Sequence, residues 1–551
     1  MGINLYLPYL MRLVIDGLTA KTLETPDLIR LLVVYFVLGV VAIIFSRFLR
    51  KIPLKLSHKI EYDLRADLFN HLTELDQDFY RGERTGDLMT RMSSDINIIR
   101  DAVGQGLLQG IRTAAVLVFA SIVMALTDTS LALLVFSLYL PMVAIFFVIL
   151  GVMRRQQKVL QEHVSEVSNF SQESFSGIRT LKGFALEGRR NEQFEALNSG
   201  LVQKNMRLQA SRQSLWPFMA FWFSLGMILI LNLGGRKVIS GELTLGTLTQ
   251  FIQYLLYMQW PLLALSWMMS LVQRGKVSWI RLKEILEREP QITSPQAEKD
   301  CVTPTATIEF KNVELQINGR TFLDQINLKV PVGTTLGITG PTGSGKTLLV
   351  SLVARLMDPT HGKIFVGGTN LRDLPLEQLR GMIGFAAQEP ILFSRTLGHN
   401  IGFGVLKPDP DLIEWAAEIA HLRGDIEGFP DRYETMLGER GVTLSGGQRQ
   451  RTSISRAIAR RPDILILDDV LSAVDTQTEA AIMGKLQPVM NERTTLFVSH
   501  RISTLRYADE TIVIEDGRIT QHGTHAELIQ QSGYYSELNT LQQLEEKLEE
   551  K

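Results

Sequence analysis

The chain has 551 residues, a formal charge of −1, and 45% hydrophobic against 21% charged residues, which is too long for one core and implies two or more domains. The near-zero charge argues against a nucleic-acid partner, for which a basic face is expected. The lone cysteine, Cys301, excludes a disulfide framework and gives no sign of an oxidising compartment.

Up to about residue 275 long apolar runs dominate. A spanning helix needs roughly 20 apolar residues at 1.5 Å each, and Ile29–Phe48, Leu107–Leu126, Leu131–Met153, Leu215–Leu233 and Gly246–Leu271 qualify as spans of a lipid bilayer. An earlier segment, Ile3–Val14, contains Arg12 and is too short to span alone. It reads as the end of a first helix whose beginning is missing, before an external loop Asp16–Asp27, so Met1 need not be the natural start. Neither a charged n-region nor a small-residue cleavage site is present, which argues against a cleaved signal peptide. Arg47, Arg50, Lys51, Lys55, Arg154 and Arg155 flank the opposite span ends, so the long loops lie in the cytosol. Between Leu49 and Val103, and between Arg154 and Leu215, the helical period continues but the sequence is too polar for lipid. Each stretch, folded back on itself, would project on the order of 40 Å beyond the membrane.

The spans carry Trp216, Phe218, Trp222, Met227, Gln253, Met258, Trp260, Trp267, Met268 and Met269. Aromatic and Met-rich surfaces accommodate varied hydrophobic shapes, although packing against lipid or a neighbouring helix is the favoured reading for any one of these residues. Arg112 and Asn232 are polar groups that face a cavity or a helix partner, or else lie at a span end.

A linker, 288–305, with Pro290, Pro295 and Pro304 follows the membrane domain of 1–287; a soluble domain, 306–545, and a charged tail, 546–551, complete the chain. TIEFKNVELQI, from Thr307, alternates as a strand does. A second strand, LGITG, leads into Gly340, Pro341, Thr342, Gly343, Ser344, Gly345, Lys346 and Thr347, and the helical LLVSLVARLM follows. This is a phosphate cradle: glycines let backbone N–H groups turn inward, Lys346 reaches β/γ-phosphates and the Thr347 hydroxyl holds Mg²⁺. ATP with Mg²⁺ is the expected ligand.

LSGGQRQR from Leu444 and ILILDDVLSAVD from Ile464 complete the pattern. Together with the cradle they resemble the ATPase domain of ABC transporters, and the whole chain resembles the degenerate-site subunit of bacterial heterodimeric multidrug ABC exporters. The resemblance implies a multi-domain fold: an all-α polytopic membrane domain of the six-helix exporter type, its first helix incomplete, then an α/β P-loop ABC ATPase domain in the cytosol beneath the inner membrane. It implies that Gln388 senses Mg²⁺, that Asp468 is the metal-site acid, that Asp475 lies in the D-loop, and that His500 contacts the γ-phosphate, where the alternative is an unliganded strand-end histidine. Phe79, Tyr80, Gly86 and Asp87, with Phe184 and Glu187, fall where the family's coupling helices meet the ATPase domains; the alternative is an ordinary helical hairpin.

Two positions depart from the family. Asp469 stands where a hydrolytic subunit carries Glu, and the missing methylene withdraws the carboxylate by roughly 1.5 Å, enough to cost about a hundredfold in rate. Ile317 stands where relatives stack an aromatic ring on adenine. ABC sites are composite, so Ser445, Gly446, Gly447 and Gln448 would complete a partner's site. The expected partner is a homologous half-transporter that carries the Glu, and the substrate a hydrophobic drug, with a lipid flippase or peptide exporter as alternatives.

Overall fold

The computed structural model describes residues 2–295, 304–438, 441 and 444–549; Cys301 and much of the expected linker lie outside them. The chain divides into two units, one of residues 1–73 and 85–288, the other of 74–84 and 289–551.

The first unit is helical: α1 (Gly2–Thr19), α2 (Thr25–Glu74), α4 (Thr85–Thr127), α5 (Thr129–Ser176), α6 (Ile178–Gly183), α7 (Glu187–Ile239) and α8 (Leu245–Leu286); α3 (Gln77–Gly82) belongs with the second unit. Among the described residues α2, α4, α5 and α7 are long and apolar enough to cross a membrane. The apolar stretch of α2 has a mean hydropathy of 2.8 with none of it buried in protein, and Phe36 and Ile43 are each 71% exposed. Such a surface suits a lipid bilayer rather than water. The fifth predicted span, 246–271, lies within α8.

At the N-terminus the structure differs from expectation. The helix does not stop at Val14 but runs to Thr19, and the loop before α2 is correspondingly shorter. Arg12 no longer interrupts an apolar segment, because it pairs with Asp16 at 3.4 Å, one turn on. Asp16 then accepts the Gly246 N–H (2.8 Å) and the Thr244 hydroxyl (2.9 Å), and the Tyr254 hydroxyl donates to the Leu5 carbonyl (2.7 Å), which fastens α1 to α8. Met124, Val135, Phe146, Met219, Phe223 and Phe251 form the core between α4, α5, α7 and α8.

The second unit has two sheets. One orders β2 (Arg320–Val330), β1 (Ile308–Ile317), β4 (His361–Val366) and β5 (Thr369–Asn370). The other orders β10 (Arg518–Gly523), β9 (Glu510–Glu515), β3 (Thr335–Thr339), β8 (Thr494–Val498), β7 (Ile464–Asp468) and β6 (Ile383–Ala386), parallel except for β10. Strands β3, β7 and β8 are buried along their whole length, threonines included, as strands of a parallel sheet covered on both faces are. Ile338 pairs with Val498, and Val498 with Asp468, so three strand ends finish at one level. Ligands of open α/β sheets bind at such carboxyl ends. Within this unit Phe79 of α3 is buried, and Asp76 accepts the Gln291 N–H at 2.9 Å.

Candidate nucleotide site

β3 delivers the phosphate loop and α9 (Lys346–Val353) receives it. Gly345, at φ +104°, has the Phe322 carbonyl 2.8 Å from where a Cβ would stand, and at Gly340, φ +144°, the Ile514 carbonyl would be 2.0 Å away. Both positions require glycine, on conformation and on space. The Ser344 hydroxyl is buried with no partner in the protein, a donor left for a ligand to satisfy. Lys346 is 7% exposed, and its Nζ donates to the carbonyls of Gly340 and Pro341, each at 2.8 Å.

Around this loop the strand ends bring Thr347, Asp468, Asp469, Gln388 and His500 into one cleft of ≈ 590 Å³, with Thr342 and Gly343 on its rim. The Thr347 hydroxyl donates to Asp468 Oδ1 at 3.1 Å, and Gln388 Nε2 donates to Asp469 Oδ2 at 3.3 Å. Asp469 takes a left-handed backbone, φ +47°, which short polar side chains tolerate best. Burial raises the Asp468 carboxyl to about 6, with the Thr347 hydrogen bond opposing. Burial likewise raises Asp469, and lowers Lys346 to about 8 against the pull of both carboxylates. His500 is lowered by burial and by the Lys346 charge.

The donor set suits a hard cation. Thr347 and Asp468 offer oxygens, and no group of three His, Cys, Asp or Glu is gathered among the described residues. That fits Mg²⁺, which uses one or two carboxylates and completes its shell with phosphate oxygens and water.

The signature residues occupy a different position. Ser445 caps α10 (Gly446–Ala459) in a reciprocal box with Gln448, at 3.2 and 3.0 Å. Gln448 also donates to Asp425, which Arg451 pairs at 2.6 Å. Gly446 and Gly447 lie against Ala473, and Gln450 bonds Ser472 and the Ala473 N–H. The D-loop thus rests on the signature helix, and Asp475 caps α11 (Thr476–Asn491) through the Thr478 N–H at 2.9 Å. Ile317, at the end of β1, lines another hollow beside Asp76, Gln291 and Thr360.

Sequence reading missed several contributors. Phe322 brings a phenyl ring to the phosphate cleft, beside the Arg320 guanidinium at 5.2 Å. Arg501 bonds the Val474 carbonyl at 3.0 Å and pairs with buried Glu479, whose other oxygen accepts from Ser503 (2.8 Å) and Thr504 (2.9 Å). Gln542 of α12 (Tyr534–Glu549) donates to the His500 carbonyl at 2.7 Å and accepts the Ile502 N–H at 2.8 Å. No short pattern in the sequence points to this clamp, and Gln542 carries no motif.

Comparison with known proteins agrees with this geometry. Residues 2–262 match the family model "ABC transporter transmembrane region" and residues 323–472 match "ABC transporter". The chain is 35% identical to the multidrug resistance-like ATP-binding protein MdlA of Escherichia coli, over 98% of this chain and 92% of that one. It is 33% identical to the ATP-dependent lipid A-core flippase of Desulfotalea psychrophila, over 93% and 89%. A bacterial Atm1-family ABC exporter solved with ATP bound shares the fold, with a TM-score of 0.82 at 24% identity over 98% and 96% of the two chains. With a helical transmembrane region and an ATP-binding α/β domain in one polypeptide, the chain belongs to the ABC exporter family.

Proposed function

We propose that the chain is one subunit of a heterodimeric exporter that moves hydrophobic or amphipathic compounds out of the cytoplasm across the inner membrane, and that its own ATP site is weakly hydrolytic. Asp469 carries this reading: a carboxylate one methylene short, in the place of the water-polarising Glu, with one oxygen engaged by Gln388 at 3.3 Å. Lys346 and the loop N–H groups hold the phosphates, Thr347, Gln388 and Asp468 hold Mg²⁺, and His500 meets the γ-phosphate. Mg²⁺ supplies charge neutralisation of the β- and γ-oxygens when bound. The intact Ser445–Gln448 capping box supports a second role, completion of the partner's site by the N-terminus of α10. Phe184, 73% exposed beyond α6, is offered to the partner's ATPase domain. ATP drives the membrane helices only through its preference for the closed ATPase dimer over the open one.

In the assembled transporter, Asp469→Ala is expected to change ATP turnover less than twofold, and the chain purified alone to hydrolyse slowly. Brisk hydrolysis by the isolated chain that disappears in Asp469→Ala overturns the division of labour. A flippase reading is favoured by the likeness to the lipid A-core flippase; ATP-dependent movement of a labelled lipid between leaflets, without export of soluble dyes, would select it.

A further inference from the structure

Where α5, α7 and α8 leave the apolar zone, the membrane unit carries an open hollow of ≈ 1060 Å³ whose lining includes exposed Arg154 and Arg212. Its lining is mainly apolar on the membrane side and mainly cationic or amide beyond it, with buried Leu208 as the exception. On the membrane side stand Phe146, Leu150, Met153, Leu215 and Trp267, all within the apolar runs 131–153, 215–233 and 246–271. One turn beyond those runs stand Arg154, Gln157, Arg212 and Gln273. Among the described residues that line it there is no acid.

The two guanidinium groups are held without being neutralised. Arg212 donates to Gln157 Oε1 at 3.1 Å, and Arg154 donates through Nε to the Leu150 carbonyl at 3.4 Å. Other arginines of the same unit are spent on carboxylates: Arg281 on Asp95 at 2.6 Å, Arg190 on Glu173 at 2.7 Å, Arg100 on Glu61 at 3.1 Å. Two cations that converge on one space with only neutral acceptors retain donors for an anion, and guanidinium matches phosphate, sulfate or carboxylate in a two-point fork. The aromatic and thioether surface above takes an apolar chain or ring of no fixed shape.

We infer that this hollow is a binding site for an anionic amphiphile, its head between Arg154 and Arg212 and its apolar body against Phe146, Leu150 and Trp267. The site rests on the exporter reading for its purpose, not for its existence, and it narrows the cargo to compounds with a negative head. Arg155 is the internal control. It carries the same charge at the same helix end and does not line the hollow, so it reproduces any general attraction of a basic membrane edge.

The test uses the full transporter in nanodiscs of neutral lipid, without ATP, titrated with fluorescent lysophosphatidylglycerol and with its phosphatidylcholine counterpart. The anionic probe should bind at least tenfold tighter than the neutral one. Arg154→Gln and Arg212→Gln should each remove most of that preference, Arg155→Gln should leave it, and Arg154→Lys should keep part of it, which separates lost charge from lost folding. Equal binding of both probes, or an equal loss in Arg155→Gln, overturns the proposal. A second arm asks for the source: nanodiscs containing phosphatidylglycerol compete with the added probe if a resident lipid fills the site, whereas dodecyl phosphate competes in neutral discs if a dissolved amphiphile does. ATP-driven uptake of an apolar dye into inverted vesicles is measured alongside. Uptake without anionic binding defeats the site and spares the exporter; binding at the arginines without any ATP-driven movement does the reverse.

Discussion

Lys346 sits below its ordinary pKa, at about 8, and Asp468 above its own, at about 6, both through burial. Phosphate oxygens beside Lys346 favour its charged form and raise its pKa, so nucleotide binding near pH 8.5 takes up a proton. A cation beside Asp468 favours the carboxylate and lowers its pKa, so binding near pH 6 releases one. Titration calorimetry in buffers of different ionisation enthalpy should show these opposite signs; Lys346→Ala abolishes the uptake, and Asp468→Asn the part of the release that belongs to the protein. Phe322 gives a second expectation at this scale. An aromatic face on a purine contributes about 1 kcal/mol, so Phe322→Ala should weaken binding of a fluorescent ATP analogue roughly fivefold, while Ile317→Ala should do less. Equal losses would return the base to Ile317.

Among the elements, the positions of the phosphate loop and of the residues after β7 and β8 were legible because each candidate residue follows directly from the strand that delivers it. Gly340 follows β3, Asp469 follows β7 and His500 lies two residues past β8. The clamp on the switch was not legible, since Glu479 and Gln542 reach it from α11 and α12 and belong to no short pattern. The end of the first helix was misplaced for a related reason: the segment past Val14 reads as loop only until Asp16 is seen to pair with Arg12 a turn away. Glu479→Ala should leave Arg501, Ser503 and Thr504 without their acceptor. Removing one partner of a buried pair costs roughly 3–5 kcal/mol, and because the Arg501 side chain is 35% exposed a loss nearer ~2 kcal/mol is expected. Thermal unfolding should show it as an earlier transition, and Glu479→Gln should recover part of it.

For the whole molecule the solvent changes partway along the chain. The outward face of α2 is as apolar as a protein interior, and β3, β7 and β8 are interior in fact. Ile43→Arg therefore places a charge in lipid, at about 2.5–3.5 kcal/mol. The expected result is a several-fold fall in membrane-inserted protein, whereas Arg at Phe184, exposed outside the apolar runs, should insert normally.

The hydrogen bonds between Gln542 and the backbone of His500 and Ile502 span 42 and 40 residues of sequence. During synthesis the phosphate loop, both acids and the histidine all emerge before the side chain that steadies the histidine. The segment that holds His500 therefore takes its last backbone hydrogen bonds only once α12 has been translated.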